Sequence, residues 1–239
     1  SPAQADAFNL AAPPGSEPGR IVAASRGLVL SRTAHGECWG VPTGRLRESL
    51  RREGLSLCTG DWIILQSNPG PSKASILGLL PRGASLQRQA PGGGGRAQHL
   101  AANLEVVLLV MGLDRNFNPA RLERLLTLAW GSGAEPLVVL TKRDLNPQWQ
   151  GFAARIEGIA PGVPVLALSA RTAEGLDGLR AHLTEGRTGV MVGSSGAGKS
   201  TLLNALMGSE VRPTQAVRSS DDRGRHTTTL RELFLLPGG

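Results

Sequence analysis

TGVMVGSSGAGKSTLLNALMG, Thr188 to Gly208, joins an apolar run to a glycine-rich turn ending in Lys199-Ser200 and continues as an amphipathic segment. Val190, Met191 and Val192 read as a buried strand, and Leu202, Leu203 and Leu206 recur at helical spacing. The pattern G-x-x-x-x-G-K-S between them is complete. Gly193, Gly196 and Gly198 can take backbone angles closed to other residues, so the loop they form with Ser194, Ser195 and Ala197 curls and turns its N–H groups toward one anion. Lys199 is placed to reach β and γ phosphates and to act in their chemistry, and the Ser200 hydroxyl to ligate Mg²⁺. The turn that begins there, with Thr201, presents a positive helix end to the same charge. A strand-to-helix turn that binds nothing would need none of these residues. The segment predicts a nucleotide-phosphate site.

The base must be read elsewhere. PLVVLTKRD, Pro136 to Asp144, is an apolar strand whose end carries Thr141, Lys142, Arg143 and Asp144. A carboxylate there accepts two hydrogen bonds from guanine N1–H and N2–H₂, whereas adenine offers an acceptor at N1 and no amino group at C2. Asp144 is therefore expected to select guanine. PVLALSAR, Pro164 to Arg171, is a second apolar strand, ending in Ser169-Ala170, where a backbone N–H could meet guanine O6. Strands ending in polar residues are commonplace, so each segment takes its weight from the other and from the phosphate loop.

TKRD resembles the guanine-specificity motif of the translation-factor-like GTPases, ordinarily Asn-Lys-x-Asp, and Ser169-Ala170 resembles their Ser-Ala motif. In an ordinary GTPase both follow the phosphate loop. Here both precede it, as in the circularly permuted GTPases, an order an open parallel sheet permits because its sites lie at strand ends and neighbouring ends can be rejoined. The GSSGAGKST loop, the β-rich N-terminal region and GRHTTT, Gly224 to Thr229, make residues 21 to 239 similar to the ribosome small-subunit-dependent GTPases. The resemblance implies a circularly permuted α/β P-loop GTPase domain with a mostly parallel sheet, preceded by a small all-β OB-fold barrel. It also implies hydrolysis of GTP to GDP and phosphate with Mg²⁺, in late maturation of the small ribosomal subunit through rRNA binding. Two departures qualify it. Thr141 stands where the family has Asn, and its shorter hydroxyl is expected to make fewer bonds to base and loop, leaving Asp144 to select guanine with weaker affinity. At LFLLPGG, Leu233 to Gly239, the family would continue into an Asp-x-Pro-Gly motif and a zinc-binding domain. We expect a truncated chain, with zinc belonging to the missing part, that binds GDP yet hydrolyses GTP poorly.

SSDDRGRHTTTL, Ser219 to Leu230, lacks apolar periodicity and resembles the first switch loop, in which Thr228 is expected to ligate Mg²⁺. No nearby glutamine is available to orient water. His226 is the candidate, since imidazole can hold water or accept a proton at neutral pH; contact with RNA or solvent is its other reading. Two alternatives from other classes stay open: a nucleotide-gated RNA-binding module without useful hydrolysis, and an ATP-dependent P-loop kinase.

Composition agrees with an RNA-facing protein. The chain of 239 residues carries a net charge of +7, and its first hundred residues hold 11 Lys/Arg against 6 Asp/Glu. Such a basic module suits a polyanion, though ordinary solubilising charge accounts for it equally. Cys38 and Cys58 match no C-x-x-C spacing and read as small buried residues of a reduced protein. No apolar run approaches the ~20 residues of a membrane helix. Residues 1–20 match neither a signal nor a transit peptide and are expected to be a disordered tail, in a cytoplasmic monomer with no membrane contact. Residues 21–88 alternate short apolar runs with turn residues, as a small barrel does. Trp39 and Trp62 are its only rings. Core packing is the expected role for both, so RNA would be met through its backbone. QAPGGGGRAQ, 89–98, lacks the Lys-Ser and helix start of a phosphate cradle and reads as a flexible linker. Residues 99–239 alternate apolar strands with helices, which implies a parallel sheet covered on both faces, with TKRD, SAR and GSSGAGKS converging at its carboxyl edge.

Overall fold

The computed structural model describes residues 2–25, 27–68, 73–89, 97–211 and 231–238. They fall into two compact units, one drawn from Ser1–Asn103 and Thr227–Phe234, the other from Leu104–His226 and Leu235–Gly239.

The first unit opens with helix α1 (Pro2–Ala11) and strand β1 (Ser16–Ser25), where a disordered tail was expected. Four alanines favour the helix, and the Gln4 amide donates to Asn103 Oδ1 at 2.7 Å. The sequence reading weighted Pro and Gly over those alanines. β1 pairs with β2 (Leu28–Thr33), β2 with β3 (Gly36–Pro42), and helix α2 (Gly44–Glu53) leads on to β4 (Trp62–Gln66) and β5 (Ala74–Leu79). The five strands close in the order β1-β2-β3-β5-β4, as an OB-fold barrel does, with β3 and β5 parallel and the other pairs antiparallel. Period-two alternation turns Ile21, Val29, Ile63, Leu65 and Ile76 inward, and Leu46 and Leu50 of α2 join the same core. Thr43 caps α2 by accepting from the Leu46 N–H, and Gly54 ends it in the left-handed conformation.

Asp61 is fully buried and is satisfied there: Arg82 donates from Nε and Nη2, both at 2.7 Å, and the Cys58 N–H donates at 2.8 Å. Burial, reinforced by the Asp61 carboxylate, pushes the Cys58 thiol up to about 12, so this free cysteine stays protonated and inert. Gly60 sits at φ 89°, where a Cβ would lie 2.2 Å from Ala102 O; only glycine permits that approach. Strands β6 (Ser85–Gln89) and β7 (Ala97–Ala102) pair as a hairpin in the register Gln89↔Ala97. The expected linker thus begins and ends in strand, and its residues 90–96 lie outside those described. Neither tryptophan is a core residue. Trp39 is 48% exposed, because β3 turns Cys38 and Gly40 toward the barrel. Trp62 is half-buried beneath the Arg20 guanidinium, 5.3 Å from the ring centroid.

The second unit alternates β8 (Val106–Gly112), α3 (Pro119–Ser132), β9 (Glu135–Thr141), α4 (Trp149–Ile159), β10 (Val165–Ala167), α5 (Leu176–Arg180), β11 (Gly189–Val192) and α6 (Lys199–Met207). The strands form a parallel sheet in the order β10-β9-β8-β11. All seven residues of β8 are buried, as covering on both faces requires. Val106, Leu108 and Val110 share a core with Leu176 and Leu179 of α5 and with Leu202 and Leu206 of α6. The alternate positions face the other side, where α3 packs against β8 and β9. β11 is half-buried rather than buried, since among the described residues it has β8 as its single neighbour. Asn118 caps α3 by accepting from the Arg121 N–H, and Pro119 at its first position needs no partner for a missing N–H. No helix among the described residues is long and apolar enough to cross a membrane.

Candidate nucleotide site

Parallel neighbours bring the carboxyl ends of β8 to β11 into one row, so the loops leaving them converge. The glycine-rich loop leaves β11 pressed against β8: a Cβ on Gly193 would lie 2.3 Å from Val110 O. Gly198, at φ 92°, occupies the position before α6, and there a Cβ would lie 3.2 Å from Thr141 Oγ1. Lys199 straddles the loop, its ammonium donating to Gly193 O at 2.9 Å and Ser194 O at 2.7 Å. An ammonium has three protons, so one donor remains for a ligand. Burial lowers the Lys199 pKa, an effect that a bound anion would oppose. Among the described residues the N–H groups of Gly196, Gly198 and Lys199 have no acceptor. Ser195, Ser200 and Thr201 are exposed, and Ala197 is buried beneath the turn.

Side chains at and just beyond the ends of β8 and β9, and one from α3, hold this loop. Thr141 Oγ1 donates to Ala197 O at 2.6 Å, so the hydroxyl, though shorter than the carboxamide it replaces, does reach the phosphate loop. Lys142, held in the left-handed conformation at φ 63°, donates to Gly196 O and to Asp114 Oδ2, each at 2.7 Å. Burial alone would raise the Asp114 carboxyl, but the Lys142 ammonium and the Asn116 N–H outweigh it and hold the group below its ordinary 3.8. The tie therefore stays charged at neutral pH, and its contribution fades only as pH falls through that depressed value. Asn116 donates from Nδ2 to Gly196 O at 3.3 Å and accepts from Ser194 Oγ at 3.2 Å, while Arg121 donates to Ser194 Oγ at 2.9 Å. Sequence reasoning missed Asp114, Asn116 and Arg121. The signal for Asp114 and Asn116 was the run DRNFN, 114–118, just past a wholly apolar strand; Arg121 lies beyond it.

Asp144 lies on a short 3-10 turn, Arg143–Leu145, exposed and with no hydrogen bond or ion pair among the described residues. Arg143 ties that turn to the loop after β10: its N–H donates to Leu168 O at 3.1 Å, and its guanidinium pairs with Glu174 at 2.9 Å and lies 4.2 Å from the Trp149 ring centroid. Ser169 is buried. Its N–H donates to Glu174 O at 2.9 Å and its hydroxyl accepts from the Thr172 N–H. The free N–H of the expected pair therefore belongs to Ala170, which has no acceptor among the described residues. His226 and Thr228 lie outside the described residues, and with them the expected switch loop.

Residues 79–239 match the family model described as RsgA GTPase. The chain belongs to the RsgA GTPase family. A relative in Syntrophotalea carbinolica, named small ribosomal subunit biogenesis GTPase RsgA, is 43% identical over 229 residues, 93% of this chain and 62% of the relative. A second of the same name in Streptomyces coelicolor is 43% identical over 243 residues, 98% of this chain and 63% of the relative. The chain thus spans a little over three fifths of the length of these RsgA relatives. Two solved structures share the fold: YjeQ from Thermotoga maritima, at TM-score 0.63 and 24% identity over 86% of this chain and 68% of that one, and YloQ, whose title calls it a circularly permuted GTPase, at TM-score 0.58 and 20% identity over 80% and 64%.

The RsgA loop in this chain fits a nucleotide phosphate, since its unpaired N–H groups, a spare ammonium donor and a helix N-terminus meet at glycines whose replacement would close the cradle. For Mg²⁺ the described residues offer the Ser200 hydroxyl, exposed on the first turn of α6 and without a partner among them. No group of three or more His, Cys, Asp or Glu among the described residues could hold a metal ion. Thr141→Val should lower GDP affinity about tenfold, because it strands the Ala197 carbonyl, at a cost of about 1–3 kcal/mol, and loosens the turn beneath the phosphates. Thr141→Ser should keep the bond and the affinity. Titration with mant-GDP checks both.

Proposed function

We propose that this chain binds guanine nucleotide and hydrolyses GTP to GDP and phosphate, acting in late maturation of the small ribosomal subunit through contacts to its rRNA. The observation that carries the reading is the direct fastening of the TKRD segment to the phosphate loop, through Thr141 on Ala197 O and Lys142 on Gly196 O. An ATP-dependent kinase would have no use for a base-reading carboxylate one short turn beyond that fastening. Asp144 accepts from guanine N1–H and N2–H₂, the Ala170 N–H meets O6, the loop from Gly193 to Gly198 wraps the phosphates, and Lys199 stabilises charge on the transferred group. Ser200 and Thr228 would hold Mg²⁺, which screens phosphate charge when bound, and His226 would orient the attacking water. The OB-like barrel with its basic excess would face rRNA, and the protein would work in the cytoplasm as a monomer. Zinc would belong to the family's C-terminal domain, outside this chain.

Two measurements test the reading. The chain should bind mant-GDP far more tightly than mant-ADP, and equal affinities would return the site to the kinase class. Phosphate release from GTP, on a version of the chain extended to the length of its relatives, should rise when small subunits are added. No rise would leave a nucleotide-gated RNA-binding module.

A further inference from the structure

We propose that the outer face of β2 and β3 is a stacking platform for an unpaired base of single-stranded RNA, with Trp39 as its ring and Lys73 as its phosphate contact. The proposal rests on the RNA-binding reading above and adds the mode of contact. Trp39 stands 48% exposed on the outside of the barrel. In the antiparallel register of β2 and β3 it lies opposite Leu30, which is half-buried and on the same face. The parallel register Gly40↔Ala74 sets Lys73 level with Trp39 across β3 and β5. Gly40 is buried, so Trp39 before it on β3 points outward, and Lys73 immediately precedes β5. Lys73 is exposed, and its ammonium has no partner among the described residues.

Charge favours a polyanion. β3 runs directly into α2, where Arg45, Arg47 and Arg52 are exposed and have no acidic partner among the described residues; only Arg51 is neutralised, by Glu48 at 2.8 Å. On the face itself Arg32 is paired with Glu37, which leaves Lys73 as the cation beside the ring. Single-stranded rather than duplex RNA is the occupant, because an A-form helix keeps its bases stacked inside and offers an exposed ring nothing to stack on. OB barrels use the face of strands 2 and 3 for oligonucleotides, and a ring there binds any base through its π-face.

The experiment titrates the chain with a fluorescein-labelled ten-nucleotide single-stranded RNA and, separately, with a blunt-ended RNA duplex, at low salt. Trp39→Ala should weaken the single strand about tenfold, Trp39→Phe should stay within about threefold, and duplex affinity should not move. Lys73→Ala should weaken both RNAs and flatten the salt dependence. Thermal melting and mant-GDP affinity of each variant guard against misfolding. If Trp39→Ala binds the single strand as well as the unaltered chain does, the platform is wrong while the RNA-binding reading stands. If the unaltered chain binds neither RNA, both fall. Equal loss for single strand and duplex would make Trp39 a packing residue and overturn the stacking role.

Discussion

Lys199→Ala should reduce GTP and GDP affinity by two orders of magnitude or more. The ammonium donates to the Gly193 and Ser194 carbonyls and has one further proton for a ligand, so the side chain both shapes the loop and charges it. A charged hydrogen bond contributes about 1.5–3 kcal/mol, and the variant loses the bond to phosphate and leaves two carbonyls without their donor. About 3 kcal/mol corresponds to roughly 150-fold. Titration with mant-GTP settles the matter: affinity within threefold of the unaltered chain would remove the loop from phosphate binding.

Asp144→Asn is the second large effect, and it is a change of preference rather than a loss. The carboxylate is exposed and unpaired among the described residues, free to accept two hydrogen bonds from guanine. An amide in its place presents a donor to a donor, whereas xanthine, with an oxygen where guanine has its amino group, turns that clash into a bond. Sites built around a specific hydrogen bond reject a mismatched partner strongly, so the ratio of GDP to XDP affinity should fall about 100-fold or more. Melting should be unaffected, because no protein group loses a partner. A variant that keeps its preference for GDP would show that Asp144 does not read the base.

What was legible in the sequence is what repeats or is dictated locally. The phosphate loop follows from glycines, a lysine and a hydroxyl at fixed spacing, and β8, β9 and α3 follow from apolar period and a Pro-led, Asn-capped start. The fastening by Asp114, Asn116 and Arg121 was hidden, because each meets a partner more than 25 residues away in the chain, the Lys142 ammonium for Asp114 and groups of the phosphate loop for the other two. Helix α1 was hidden for a different reason: alanine propensity is a weak signal, and the Gln4 contact to Asn103 that anchors the helix spans most of the first unit. Trp39 misled because rings are usually buried, and only the register of β3 tells which of its faces meets water.

Chain order has a consequence during synthesis. β8, β9 and β10 are made before β11, which joins only β8 in the described sheet, and before the phosphate loop that follows it. The nascent chain therefore carries the Thr141–Asp144 segment before it carries the glycine-rich loop. A ligand that binds only the form in which β11 has docked stabilises that form by mass action. On the proposed function, nucleotide would be a folding ligand as well as a substrate, holding β11 against the one neighbour it has among the described strands.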